Sequence, residues 1–169
     1  MKMTSAQAAK AAKKLNEEYN ALLQKEKLSS TFLAASGEDA DSLRPAYDYA
    51  ETQEKLAAVE KRIRTLKHAL NVFNSTHTIP GFDMTVDEML IYIPQLTARV
   101  NKLSEMKAKL PKMRVEERYG KTSNIIDYTY TNYDIDAVSA DCEKSADELA
   151  RAQLALDSFN TTETFEVDF

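Results

Sequence analysis

The sequence has little glycine and proline, with three and four residues of each among 169, which argues against folds that need many tight turns. Tryptophan is absent, and Cys142 is the only cysteine. A single cysteine allows neither an intrachain disulfide nor a zinc site made of four cysteines, and it is typical of a reducing cytoplasm. The length of 169 residues suits one domain, and the plentiful Ala, Leu, Lys and Glu predict that this domain, residues 1–169, is α-helical.

Long apolar runs are also missing. The first ten residues lack the uninterrupted apolar core of a signal peptide, and nowhere do about eighteen apolar residues follow one another as a membrane helix requires. We therefore expect no transmembrane segment and a cytoplasmic location. The net charge of −5 disfavours a general nucleic-acid binder, because phosphate contacts would have to come from a local basic patch.

Residue types that carry chemistry are present but isolated. The three glycines stand far apart, so no glycine-rich loop can cradle a phosphate. His68 and His77 lack the spacing of a metal-binding pair on one helix face. Cys142 lies on an apolar stripe without a neighbouring histidine, which favours core packing over nucleophilic catalysis. The sequence thus predicts a protein that is not an enzyme and that holds no cofactor or metal.

Four stretches have helical periodicity, at about residues 5–34, 45–73, 86–110 and 135–159. They predict an antiparallel four-helix bundle, or alternatively coiled-coil-like helical hairpins whose apolar seam is completed by a second chain. The second stretch is the most regular, with a heptad rhythm of Leu56, Val59, Ile63, Leu66, Leu70 and Phe73.

The third predicted helix has a start signal, an expected kink and an apolar stripe. Thr85 and Glu88 form a capping box at its first residue. Pro94 removes one main-chain hydrogen bond, which predicts a kink. The apolar stripe is predicted to continue through Leu103 to Leu110.

Between the third and fourth helices the periodicity changes. Ile126, Tyr128 and Tyr130 alternate with polar residues, as in a half-exposed strand. One interpretation is a short β-hairpin over residues 113–131, and the other is an irregular connection.

Charge is distributed unevenly in the second half of the chain. Between Arg99 and Lys121 eight basic residues outnumber three acidic ones, whereas from Thr122 onward eleven acidic residues outnumber two basic ones. The basic stretch could form a surface for an acidic partner, with tyrosines as contact residues. Alternatively, the basic end of the third helix lies beside the acidic fourth helix. The candidate interaction residues are Lys107, Lys109, Lys112, Arg114, Arg118, Tyr119, Tyr128 and Tyr130.

Five short loop motifs occur in order along nearly the whole chain: Ser36-Gly37-Glu38-Asp39, Phe73-Asn74-Ser75-Thr76-His77, Met84-Thr85, Arg118-Tyr119 and Asn160-Thr161-Thr162-Glu163. They resemble motifs of a group of small bacterial helical proteins, some of which carry the label septicolysin. The sequence departs from that group at His77, where the group has asparagine, and in lacking tryptophan. The resemblance implies an all-helical fold with a β-hairpin, self-association and no established activity.

Three functional hypotheses follow. The leading one is a non-enzymatic protein-interaction or scaffold protein that forms homo-oligomers, of the kind a phage or mobile element uses to bind a host protein. The second is a nucleic-acid-binding protein that uses the basic stretch over residues 99–121. The third is a membrane-active protein, as the septicolysin label implies, although the expected lack of a signal peptide and of a membrane helix argues against it.

Overall fold

The computed structural model describes residues 1–115 and 126–168. The described chain is predominantly helical, as predicted. Its elements are β1 (Lys2–Thr4), α1 (Ser5–Ser29), α2 (Ala40–Leu43), α3 (Tyr49–Thr76), α4 (Val86–Lys107), β2 (Lys112–Arg114), β3 (Tyr128–Tyr130), α5 (Ile135–Thr162) and β4 (Thr164–Glu166). Contacts divide the chain into two compact units, Met1–His77 with Ser158–Phe169, and Thr78–Asp157. The single domain and the four-helix bundle stay predictions.

In the first unit, α1 and α3 pack against each other in antiparallel directions. The Tyr19 hydroxyl donates to Glu60 Oε1 at 2.8 Å, and further along Gln53 Nε2 donates to Glu26 Oε1 at 2.7 Å. The predicted heptad of α3 is confirmed at four buried positions: Leu56, Val59, Leu66 and Phe73. Each fully buried side chain of this kind stabilises the fold by about 1.5–3 kcal/mol.

A two-stranded antiparallel sheet, β1 with β4, completes the first unit. Met3 lies opposite Phe165, and both side chains are buried. The Phe165 ring stacks on Phe73 at a centroid distance of 5.0 Å, and Phe159 lies 5.7 Å from Phe73. The sheet thereby contributes to an aromatic cluster at the end of α3. This sheet was not predicted from the sequence.

The second unit begins with a turn, in which Ile79 N donates to Met84 O at 2.9 Å. The capping box that starts α4 is confirmed: Thr85 N donates to Glu88 Oε2 at 2.7 Å, and Glu88 N donates to Thr85 Oγ1 at 3.2 Å. The hydrogen bond from the Thr85 amide is the main cause of a lowered pKa of Glu88.

Within the second unit, α4 and α5 also pack in antiparallel directions. The Tyr92 hydroxyl donates to Glu148 Oε1 at 2.5 Å, and the Tyr133 hydroxyl donates to Met106 O at 2.8 Å. Between the helices lies a small apolar cluster of Leu103, Val138 and Cys142, against which Met106 and Tyr133 pack. Cys142 is therefore a core residue, as predicted.

Two predicted helices end earlier than expected. The first was expected to reach residue 34, but α1 ends at Ser29, where Ser29, Ser30 and Thr31 are poor helix formers. The third was expected to reach residue 110, but α4 ends at Lys107 because Pro111 disfavours the helical conformation at Leu110. Leu110, predicted to be buried, is 63% exposed.

The other helix bounds also differ from the predicted ones. The second predicted helix begins at Tyr49 instead of residue 45, because the Asp48 side chain accepts the Glu51 amide at 2.9 Å. The fourth continues beyond residue 159 to Thr162, where the hydroxyls of Thr161 and Thr162 each donate to Ser158 O at 2.9 Å. The short helix α2 was not predicted.

Across residues 1–115 and 126–168, no helix combines the length and the apolar character needed to cross a bilayer.

Candidate protein-interaction surface

The strands β2 and β3 form a two-stranded antiparallel ribbon whose residues are all exposed. Lys112 lies opposite Tyr130, and Arg114 lies opposite Tyr128. Directly opposed residues of an antiparallel pair share a face, and so do residues two apart on one strand. The register therefore brings these four side chains to one face, which we call the cation–tyrosine face.

The two tyrosine rings of this face hold the Lys112 ammonium above them. Lys112 Nζ lies 4.0 Å from the Tyr128 ring centroid and 5.4 Å from the Tyr130 ring centroid. Both distances are within the range of cation–π attraction. Tyr128 is 43% exposed and Tyr130 is 62% exposed, so both rings remain accessible to a partner.

The cation–tyrosine face has two basic side chains, Lys112 and Arg114. In the part of the chain that the structure describes, no ion pair within 4.0 Å involves Lys112 or Arg114. An aromatic quadrupole attracts a cation but leaves its net charge in place. The face thus presents two positive charges and two amphipathic rings together, which are properties that favour binding of an acidic partner.

The opposite face of the ribbon borders a groove of about 540 Å³, which we call the ribbon groove. Met113 and Thr129 lie opposite each other on this face. One wall is fixed by the hydrogen bond from the Tyr133 hydroxyl to Met106 O. The groove is lined by Ala108, Lys109, Leu110, Met113, Thr129, Tyr130, Thr131, Asn132 and Tyr133.

The structure places the described interaction residues at three locations. Lys112, Arg114, Tyr128 and Tyr130 share the cation–tyrosine face, while Lys109 lines the ribbon groove, to which Tyr130 also contributes. Arg118 and Tyr119 lie outside the described residues. Lys107 lies at a third location, between α4 and α5, where its Nζ is 3.7 Å from Glu143 Oε1. This pair agrees with the alternative interpretation of the basic stretch, in which it flanks acidic α5.

Sequence reasoning missed the groove-lining residues Leu110 and Met113. Leu110 was assigned to a buried helical stripe, and Met113 was given no role. The alternation Lys112-Met113-Arg114 contains a signal, because a methionine between two basic residues of a strand must face the opposite side. Reading that signal required knowing that residues 112–114 form a strand.

A second groove, of about 560 Å³, lies in the first unit beside α1 and α3. Its wall contains the Tyr19–Glu60 hydrogen bond, which is the main cause of a raised pKa of Tyr19. It is lined by Asn16, Tyr19, Glu60, Ile63, Arg64, Lys67, His68 and Asn71. His68 thus lies on a groove wall.

Among the described residues, no group of three or more His, Cys, Asp or Glu side chains is placed to hold a metal ion. The Glu60 carboxylate accepts a hydrogen bond from Tyr19, and the ribbon groove is lined by an amide, hydroxyls, apolar groups and the Lys109 ammonium.

No protein-family model and no curated protein matches this chain. It is similar to the crystal structure of a functionally unknown conserved protein from Corynebacterium diphtheriae, with a TM-score of 0.59 and 17% sequence identity. The match covers 98% of this chain and 100% of that one. At this identity the similarity shows a shared fold and carries no information on activity.

Proposed function

We propose that this chain is a non-enzymatic protein-interaction protein that binds an acidic surface of a partner protein through the cation–tyrosine face. The observation that carries the proposal is the position of Lys112 Nζ, 4.0 Å from the centroid of the exposed Tyr128 ring. Tyrosine and arginine, which this face has at Tyr128, Tyr130 and Arg114, are among the residue types that contribute most binding energy at protein interfaces. In this proposal the helices act as a scaffold for the ribbon.

A tagged pull-down from the native cell tests the proposal, with two double variants compared with wild type. Lys112→Glu/Arg114→Glu reverses the charge of the face and should abolish recovery of the partner. Lys10→Glu/Lys14→Glu makes the same change in net charge on exposed α1 and should leave recovery unchanged. Equal recovery by both variants would contradict the proposal, and recovery of no other protein would leave self-association as the function.

Nucleic-acid binding is the second candidate, because exposed aromatic rings beside cations also stack on unpaired bases. The ion pair of Lys107 with Glu143 and the net charge of −5 make it the weaker candidate. Retention on single-stranded DNA or RNA at low salt, lost when Lys107, Lys109 and Lys112 become Glu, would favour it. A lack of retention at low salt would remove it.

Self-association is a further part of the proposal, in which helical hairpins pair between chains; the alternative is a four-helix bundle whose apolar seam closes within one chain. The two antiparallel helix pairs, α1 with α3 and α4 with α5, are compatible with both arrangements. Light scattering distinguishes them by mass. A membrane-active function, which the septicolysin resemblance implies, predicts dye leakage from anionic vesicles, and intact vesicles would count against it.

A further inference from the structure

The main-chain hydrogen bonds of the ribbon determine which groups face outward. Val115 N donates to Asp127 O at 2.9 Å, at one end of the paired strands. In an antiparallel pair, positions that bond to the partner strand alternate with positions whose amide and carbonyl point away from it. Counting from Asp127, the main-chain groups of Tyr128 and Tyr130 therefore point away from β2. In the described part of the chain, this sheet contains only β2 and β3.

The outer edge of β3 is better suited to accept a strand than that of β2. At the corresponding positions of β2 stand Lys112 and Arg114, and charged residues on an edge oppose addition of another strand. On β3 the segment Tyr128–Tyr130 is uncharged and consists of residue types that favour strands. Two amides and two carbonyls are thus presented on a short, uncharged edge.

We propose that the β3 edge binds an extended acidic segment of a partner protein as an antiparallel third strand. This inference rests on the proposed function, because it assumes that the partner is acidic. It extends that function by specifying the conformation of the bound segment and the order of its side chains.

The position of Lys112 supplies the preference for acidic residues. Its side chain originates on β2, but its ammonium lies above the Tyr128 and Tyr130 rings of β3. Neighbouring strands are about 4.8 Å apart, so this shift brings the positive charge towards the position of an added strand. Carboxylates of the added strand that lie on the cation–tyrosine face would therefore be attracted by Lys112.

The two faces of the ribbon predict an alternating pattern in the bound segment. Side chains of a strand point alternately to opposite faces, so every second residue lies on the cation–tyrosine face and should be acidic. The residues between them lie on the other face, towards the ribbon groove, where Leu110 and Met113 are exposed. These residues should be apolar. The preferred segment is thus extended, with acidic and apolar residues in alternation.

A short synthetic peptide, Glu-Val-Glu-Val-Glu with both ends capped, is a suitable probe for the full chain. Binding is followed by nitrogen-15 NMR and amide hydrogen exchange. We expect slowed exchange of the Tyr128 and Tyr130 amides on peptide addition, with little change at Thr129, whose amide already faces β2. Lys112→Glu should weaken binding, whereas the matched Lys10→Glu variant should not.

Backbone methylation of the peptide makes the test specific for strand addition. In the antiparallel arrangement, the peptide residues on the cation–tyrosine face are those whose amides bond to β3. Methylating the Glu nitrogens should therefore weaken binding by about tenfold or more, whereas methylating the Val nitrogens should have little effect.

Three results would overturn the inference. Binding that is insensitive to the methylated positions, or sensitive to the Val nitrogens instead, excludes the proposed antiparallel pairing but leaves an acidic-partner function intact. Failure of the unmodified peptide to bind would also exclude strand addition at the β3 edge. The proposed function is tested separately by the pull-down. Protection of the Tyr128 and Tyr130 amides that rises with protein concentration alone would assign the edge to a second copy of this chain.

Discussion

Lys112 and Tyr128 interact diagonally across the ribbon, with Lys112 Nζ 4.0 Å from the Tyr128 ring centroid, although the residue directly opposite Lys112 is Tyr130. A diagonal contact of this kind draws the lysine along the strand and over both rings. It places the charge of one strand above the aromatic surface of the other.

The Lys112–Tyr128 contact should be measurable as a coupling energy. We expect a double-mutant cycle of Lys112→Ala and Tyr128→Leu, measured by urea unfolding, to give about 0.5–1 kcal/mol of coupling. The same cycle with Lys10→Ala in place of Lys112→Ala should give none, because Lys10 is on α1. Absence of coupling between Lys112 and Tyr128 would show that the contact is not populated in solution.

Substitutions of Leu103 and Leu110 by alanine test how far the core extends along the chain. Leu103 is buried in the α4–α5 cluster, so Leu103→Ala should lower the free energy of unfolding by about 2–5 kcal/mol. Leu110 is 63% exposed, and Leu110→Ala should change it by no more than about 0.5 kcal/mol. Urea denaturation of the two variants measures both values, and equal losses would place Leu110 in the core.

The aromatic cluster of the first unit should depend strongly on Phe73. Its ring is 2% exposed and stacks on Phe165 at 5.0 Å, so Phe73→Ala should lower the free energy of unfolding by about 3–5 kcal/mol. The control is Phe32→Ala, since Phe32 is 39% exposed and lies outside the helices. A small effect at Phe73 would contradict the packing of β4 on α3.

The cap of α4 should make stability depend on pH. Because hydrogen bonds lower the pKa of Glu88 in the folded state, its contribution is complete above the ordinary glutamate pKa. That contribution is lost as the pH falls through the lowered folded-state pKa. In acid-side unfolding titrations, Glu88→Gln should therefore lose less stability with falling pH than wild type. A matched Glu105→Gln variant, on the same helix but outside the cap, should follow wild type.

The ion pair between Lys107 and Glu143 should contribute little to stability. Both side chains are largely exposed, at 46% and 73%, and exposed pairs are worth about 0–1 kcal/mol. Lys107→Ala should thus be nearly neutral in thermal unfolding, and added salt should remove most of any effect. A cost well above that range would indicate a structural role for the basic end of α4.

Local sequence patterns predicted those features of the fold that are determined by residues close together in the sequence. The heptad of α3 identified Leu56 and Phe73 as buried, and Thr85 and Glu88 identified the start of α4. The β1–β4 sheet was not predictable in this way. Met3 and Phe165 meet across nearly the whole chain, and three-residue strands contain too few alternations to indicate a partner.

The candidate surface could be predicted as a set of residue types but not as an arrangement. Lys112, Arg114, Tyr128 and Tyr130 were identified from charge and aromatic content alone. Their common face depends on the register of β2 with β3, and a shift by one residue would move the tyrosines to the other side. The sequence pattern leaves that register open.

The most direct test of the account is calorimetric binding of the partner recovered by the pull-down. Compared with wild type, Lys112→Glu/Arg114→Glu and Tyr128→Ala/Tyr130→Ala should each weaken binding by about 2 kcal/mol or more, and added salt should weaken wild-type binding. Lys10→Glu/Lys14→Glu should bind as wild type does. Wild-type affinity in both ribbon variants would contradict the assignment of the cation–tyrosine face as the binding surface.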